Sequence, residues 1–123
     1  NALVTTGRPY RAAVSWEGVV DLRIMDEKMG GEPFRRARWG SPEDNPGPWE
    51  RASQISQAAA VRTPMLLLYG EQGCPEQGQA WRSALECAGV PVELWIYPGG
   101  HLPDPEVVEE IYLRAAGWFR RWR

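Results

Sequence analysis

The chain has 123 residues, 43% of them hydrophobic and 24% charged, with a formal net charge of -2 at pH 7. That length builds one core and leaves no room for a second independent domain, and the charge offers no basic excess to neutralise phosphates, which argues against nucleic acid as a partner. No apolar run approaches the ~18 residues of a membrane span and no basic-then-apolar leader opens the chain. Two cysteines are too few for a disulfide framework, so a soluble protein of the reducing cytoplasm is expected.

A single histidine and two cysteines at no ligand spacing give no metal site, and no cofactor is expected. The chain opens on Asn1 rather than Met, which reads as a processed product or a piece of something longer.

The first apolar run, Ala12-Ala13-Val14-Ser15-Trp16, reads as a buried strand. From about Arg23 to Val61 the texture changes: Gly30, Gly31, Pro33, Pro42, Pro46 and Pro48 break any long element, with a short helix expected over 53–61. Met65-Leu66-Leu67-Leu68-Tyr69 is continuously apolar, as in a parallel strand covered on both faces. Pro75 suits a first helical turn, Ala80, Trp81, Ala84, Leu85 and Ala88 recur at helical spacing, and Gly89 stands where a left-handed cap ends a helix. The third run, 92–97, completes a right-handed strand, helix, strand crossover. Asp104-Pro105-Glu106 then opens a last helix, with Val108, Ile111, Tyr112, Ala115, Phe119 and Trp122 as the expected buried stripe and arginines in the final turn.

His101 follows the third strand through a Pro98-Gly99-Gly100 turn. Open α/β folds place catalytic groups past the carboxyl ends of their strands, and an imidazole moves protons near neutral pH. No Gly-x-Ser-x-Gly turn accompanies it in the chain. Ser15, Ser41, Ser53, Ser56 and Ser83 match no such elbow and read as structural. A Cys74–His101 dyad would need an activated thiol, and its spacing matches no known cysteine hydrolase.

The order of segments resembles the carboxyl-terminal part of the catalytic domain of the prolyl oligopeptidase family, especially its acylaminoacyl-peptidase-like branch. The pieces that carry the likeness are Tyr10-Arg11-Ala12-Ala13-Val14-Ser15, Trp49-Glu50-Arg51-Ala52-Ser53, the stretch from Val61 to Glu71, the stretch from Ala84 to Leu94, Tyr97-Pro98-Gly99-Gly100-His101 and Trp118-Phe119. The likeness implies the carboxyl-terminal portion of an α/β hydrolase fold, three parallel strands with flanking helices, over residues 1–123. The nucleophile elbow would lie just ahead of Asn1.

By the same likeness His101 is the family's general base and acid. The family's aspartate does not carry over: Gly70-Glu71-Gln72-Gly73 puts glycine where the pattern Gly-Glu-x-Asp has its acid. The His101 turn is one residue shorter than the family's Pro-Gly-Glu-Gly-His, so displacement of the histidine is expected. Glu71, next to the lost position, and Asp21, after the first strand, are the candidate substitute acids; their alternative roles are capping a loop and fixing a turn.

Two functions follow from the likeness. One is a piece of a serine hydrolase acting on peptides or acyl-peptides, inactive alone and needing its amino-terminal half. The other is a non-catalytic interaction or assembly module. In either, the strand from Arg11 to Trp16 lacks an outer neighbour, which predicts self-association through that edge or pairing with the missing half.

Overall fold

A computed structural model describes residues 3–123. Three strands, β1 (Ala13–Trp16), β2 (Met65–Gly70) and β3 (Val92–Tyr97), form one parallel sheet in the order β1-β2-β3. Ala13 pairs with Met65 and Met65 with Val92, so the strands start level and their carboxyl ends reach one edge together.

β2 is buried along its whole length, as its unbroken apolar run requires. Met65, Leu67 and Tyr69 face one layer with Val20, Val61, Trp81 and Leu85; Leu66 and Leu68 face the other with Tyr97, Ile111 and Trp118. A helix covers each face: α4 (Pro75–Cys87) supplies Trp81 and Leu85, and α5 (Pro105–Arg121) supplies Ile111 and Trp118. α4 starts on Pro75 and is followed by Gly89 at φ 73°, the proline and glycine punctuation expected of it.

The structure corrects three expectations. β1 begins at Ala13, not Arg11; Arg11 precedes the ladder, whose first bond runs from Ala13 N–H to the Pro64 carbonyl. The stretch read as irregular holds three short helices, which we number in chain order as α1 (Leu22–Lys28), α2 (Pro33–Trp39) and α3 (Pro46–Ala52), then a 3-10 segment at Gln54–Ala60. Pro33 and Pro46 open helices instead of breaking them, because a first-turn proline forfeits no intrahelical bond. On α5, Trp118 and Ile111 enter the core while Tyr112 and Phe119 remain 65% and 50% exposed.

Candidate active site

The carboxyl edge of the sheet gathers three segments far apart in sequence. The turn after β2 is sewn to the turn after β3, with Glu71 N–H donating to the Tyr97 carbonyl and Gln72 N–H to the Gly99 carbonyl, both at 3.0 Å. Gly70 lies beneath this crossing. A Cβ there would stand 2.7 Å from the Gly99 oxygen and 2.9 Å from the Gly100 oxygen, both backbone atoms. Glycine at 70 thus lets the His101 turn lie directly on β2.

Glu17, the first residue past β1, is the centre of the edge. Its φ of 51° is the one positive value at a non-glycine position among the described residues, a conformation that costs about 1 kcal/mol or more unless its surroundings fix it. They do: Gly70 N–H and the Tyr97 hydroxyl both donate to Glu17 Oε1, the latter at 2.7 Å. Behind it, the Tyr69 hydroxyl donates to the Gly18 carbonyl at 2.6 Å. Buried Gln77 accepts from Val20 and Asp21 N–H and donates to the Asp21 carbonyl, at 2.7–2.9 Å.

Oε2 of Glu17 takes neither donor and lies 3.9 Å from His101 Nδ1. The Glu17 side chain is 8% exposed and that of His101 77%, so a buried carboxylate faces an open imidazole. This geometry suits an imidazole steadied at Nδ1 with Nε2 free for a proton. A cleft of about 350 Å3 opens beside them, with Gly18, Met25, Tyr69 and Cys74 on its walls. A larger depression of about 670 Å3 over Asp21, Asp26 and Arg36 shares no lining residue with it.

The Glu17 carboxylate lies directly against Gly73. A Cβ on Gly73 would stand 2.8 Å from Glu17 Oε2 and 3.2 Å from Oε1.

The two acids singled out from the sequence have other partners. Asp21 caps α1 by accepting from Arg23 N–H at 2.9 Å, and its two oxygens accept from the Arg23 guanidinium at 3.1 and 2.9 Å. Glu71 accepts a long bond from Gly99 N–H at 3.5 Å and helps hold the histidine turn. The acid that meets the histidine escaped the sequence reading. The signal available was its place: in a level parallel sheet, the first residue after β1 comes closest to the turns after β2 and β3.

Cys74 and Cys87 are free thiols. Burial first, and then Glu76, push the Cys74 thiol up, the opposite of activation. Ser53 is tied to Leu22 N–H and the Trp49 carbonyl, Ser56 to the Ser53 carbonyl and Ser83 to the Gln79 carbonyl, as structural serines are. Among the described residues no cluster of acids, cysteines and histidine could hold a metal ion, and no helix is long and apolar enough to cross a membrane.

Known proteins share this arrangement of strands and helices. Porphyromonas gingivalis dipeptidyl peptidase 4 matches with a TM-score of 0.75 at 17% identity, over 93% of this chain and 16% of that one. Pyrococcus horikoshii acylaminoacyl peptidase matches with 0.65 at 22% identity, over 80% and 17%. The AtxE2 isopeptidase with Astexin3-dC4 bound matches with 0.70 at 28% identity, over 91% and 18%. The chain spans less than a fifth of these structures. No curated protein matches it. The sheet and its helices are a portion of an α/β hydrolase fold, and the model of the prolyl oligopeptidase family matches residues 1–123. The chain belongs to the prolyl oligopeptidase family.

Proposed function

We propose that the chain carries the histidine of a serine peptidase that cleaves peptides or acyl-peptides, and that its nucleophile lies in a segment outside these 123 residues. The observation that carries this reading is His101: a family match runs the full length of the chain, and the imidazole stands open at the carboxyl edge of the sheet with a buried carboxylate at Nδ1. In this role Nε2 takes the serine proton as the oxygen attacks the acyl carbon. It then returns that proton to the departing amine. On this reading the chain alone is catalytically incomplete, since it contains no Gly-x-Ser-x-Gly turn.

The test is fluorophosphonate labelling and peptide turnover by the natural protein that carries this chain, with and without His101→Ala. Both are expected to collapse in the variant, and undiminished turnover would falsify the reading. The isolated 123-residue chain is expected to remain unlabelled.

The outer edge of β1 favours a partner in either functional reading. β1 has a neighbour on one side only among the described residues. The preceding half of the hydrolase domain, or a second copy of this chain, would complete the sheet. Light scattering that finds the isolated chain strictly monomeric removes the second copy. Two free thiols are in keeping with a reducing cytoplasm.

A further inference from the structure

Resting on the peptidase reading of His101, we propose that Glu17 is the positioning carboxylate of the triad, replacing from the end of β1 the aspartate that the turn after β2 lacks at Gly73. Three independent features of the site converge on it.

The first is how the carboxylate is held. An orienting acid needs one oxygen anchored and the other presented. Glu17 Oε1 accepts from Gly70 N–H and the Tyr97 hydroxyl, while Oε2 is turned toward His101 Nδ1. The second is strain. A buried glutamate at φ 51° is an expensive way to satisfy one backbone N–H and one phenol, and such outliers concentrate at functional sites.

The third is Gly73. Since a Cβ there would stand 2.8 Å from Glu17 Oε2, a side chain at 73 and the Glu17 carboxylate compete for one volume. The chain fills that volume from β1 and leaves position 73 bare. Loss of the aspartate and arrival of a carboxylate from the neighbouring strand are two sides of one substitution.

The remaining gap is 3.9 Å, against roughly 2.6–3.2 Å for a working hydrogen bond. The ring is exposed and its turn contains Gly99 and Gly100, so a small rotation closes it; catalytic bonds are commonly long before substrate binds. In the reaction the serine Oγ–carbonyl bond forms as its proton passes to Nε2. Nδ1–H then donates to the ionised Glu17, and the Nε2 proton leaves with the amine as the scissile bond breaks. The Nδ1 proton stays on the ring, and the Glu17 carboxylate only accepts a hydrogen bond from it.

Glu17→Gln in the natural protein tests this, because the amide keeps an acceptor for Gly70 and Tyr97 but offers no charge to Nδ1. Loss of the corresponding acid elsewhere costs about 10^4-fold in kcat, and a loss of that order with little change in KM is expected here. His101 is the sole histidine, so nitrogen NMR of this chain reads its tautomer directly. The neutral ring should hold its proton on Nδ1 and move it to Nε2 in Glu17→Gln.

Moving the acid is the control for a merely structural role. Glu17→Gly with Gly73→Asp removes the strained glutamate and returns a carboxylate from the turn after β2; recovery of about tenfold or more in kcat, about 1.4 kcal/mol, is expected. If His101→Ala abolishes turnover while Glu17→Gln changes neither kcat nor the tautomer, or the double variant folds without recovery, Glu17 is not the positioning acid and the peptidase reading stands. If His101→Ala leaves turnover intact, the reading itself falls.

Discussion

The Tyr97 hydroxyl accepts from the Trp16 indole N–H at 2.8 Å and donates to Glu17 Oε1 at 2.7 Å, joining the ends of β3 and β1 across β2. Tyr97 is fully buried, so its oxygen has no water to fall back on. Tyr97→Phe leaves the indole N–H without its acceptor and withdraws one anchor from Glu17. A loss of about 1–3 kcal/mol is expected, read as a lower urea midpoint with an unchanged slope.

The same hydroxyl predicts an alkaline limit to stability. Burial, and then its hydrogen bond to Glu17, push Tyr97 up to about 12; burial does the same for Tyr69. In the unfolded chain both phenols ionise near pH 10, so there the unfolded state releases protons that the folded state keeps. Stability from these phenols is whole below about pH 10 and is lost as pH rises toward 12. Tyrosinate absorbance should show two phenols ionising with unfolding, and Tyr97→Phe should remove one of them.

Gly70→Ala tests whether the histidine turn depends on its contact with β2. The added methyl meets two backbone carbonyls of the turn at 2.7 and 2.9 Å, and backbone cannot yield as a side-chain tip can. Overpacking of this kind costs about 1–3 kcal/mol. His101 ring resonances should shift alongside the drop in urea midpoint; unmoved resonances would show that the turn is not seated on Gly70.

How far the fold can be read from sequence is illustrated by this edge. The unbroken run at 65–69 and the helical spacing of Trp81 and Leu85 are local signals, and both led to the right elements. His101 was legible because a short turn ties it to a strand. Glu17 was not, because its meeting with His101 depends on parallel register across three strands, a relation no local pattern carries. Asp21 drew attention instead, although its carboxylate is consumed by Arg23 within its own turn.

Asp26 is buried and accepts from the Arg36 guanidinium at 2.6–3.0 Å and from Glu32 N–H at 2.7 Å. The Arg36 hydrogen bonds hold its carboxyl below the usual carboxylate range. A depressed folded value means the pair stabilises above the unfolded value, near pH 4, and that support is lost as pH falls through the folded value. The urea midpoint should drop in acid, and Asp26→Asn should flatten that drop while lowering the midpoint at neutral pH. Parallel curves for the two proteins would remove Asp26 from the acid transition.

α5 gives the sharpest contrast between pattern and packing. Val107, Val108, Ile111, Tyr112, Leu113, Ala115, Trp118, Phe119 and Trp122 place apolar side chains around much of its circumference. The stripe expected from the spacing runs through Ile111, Tyr112 and Phe119 and leaves out Trp118, although both aromatic positions could be buried on an apolar helix. The sheet decides between them: Trp118 is 3% exposed against Leu66, Leu68 and Tyr97, whereas Phe119 is half exposed. Trp118→Ala should cost about 3–5 kcal/mol, as large-to-small changes in a core do, and Phe119→Ala should stay within about 0.5 kcal/mol. Equal losses in urea unfolding would mean that the helix is rotated from the packing described, or that the Tyr112–Phe119 face is itself covered by a partner in solution.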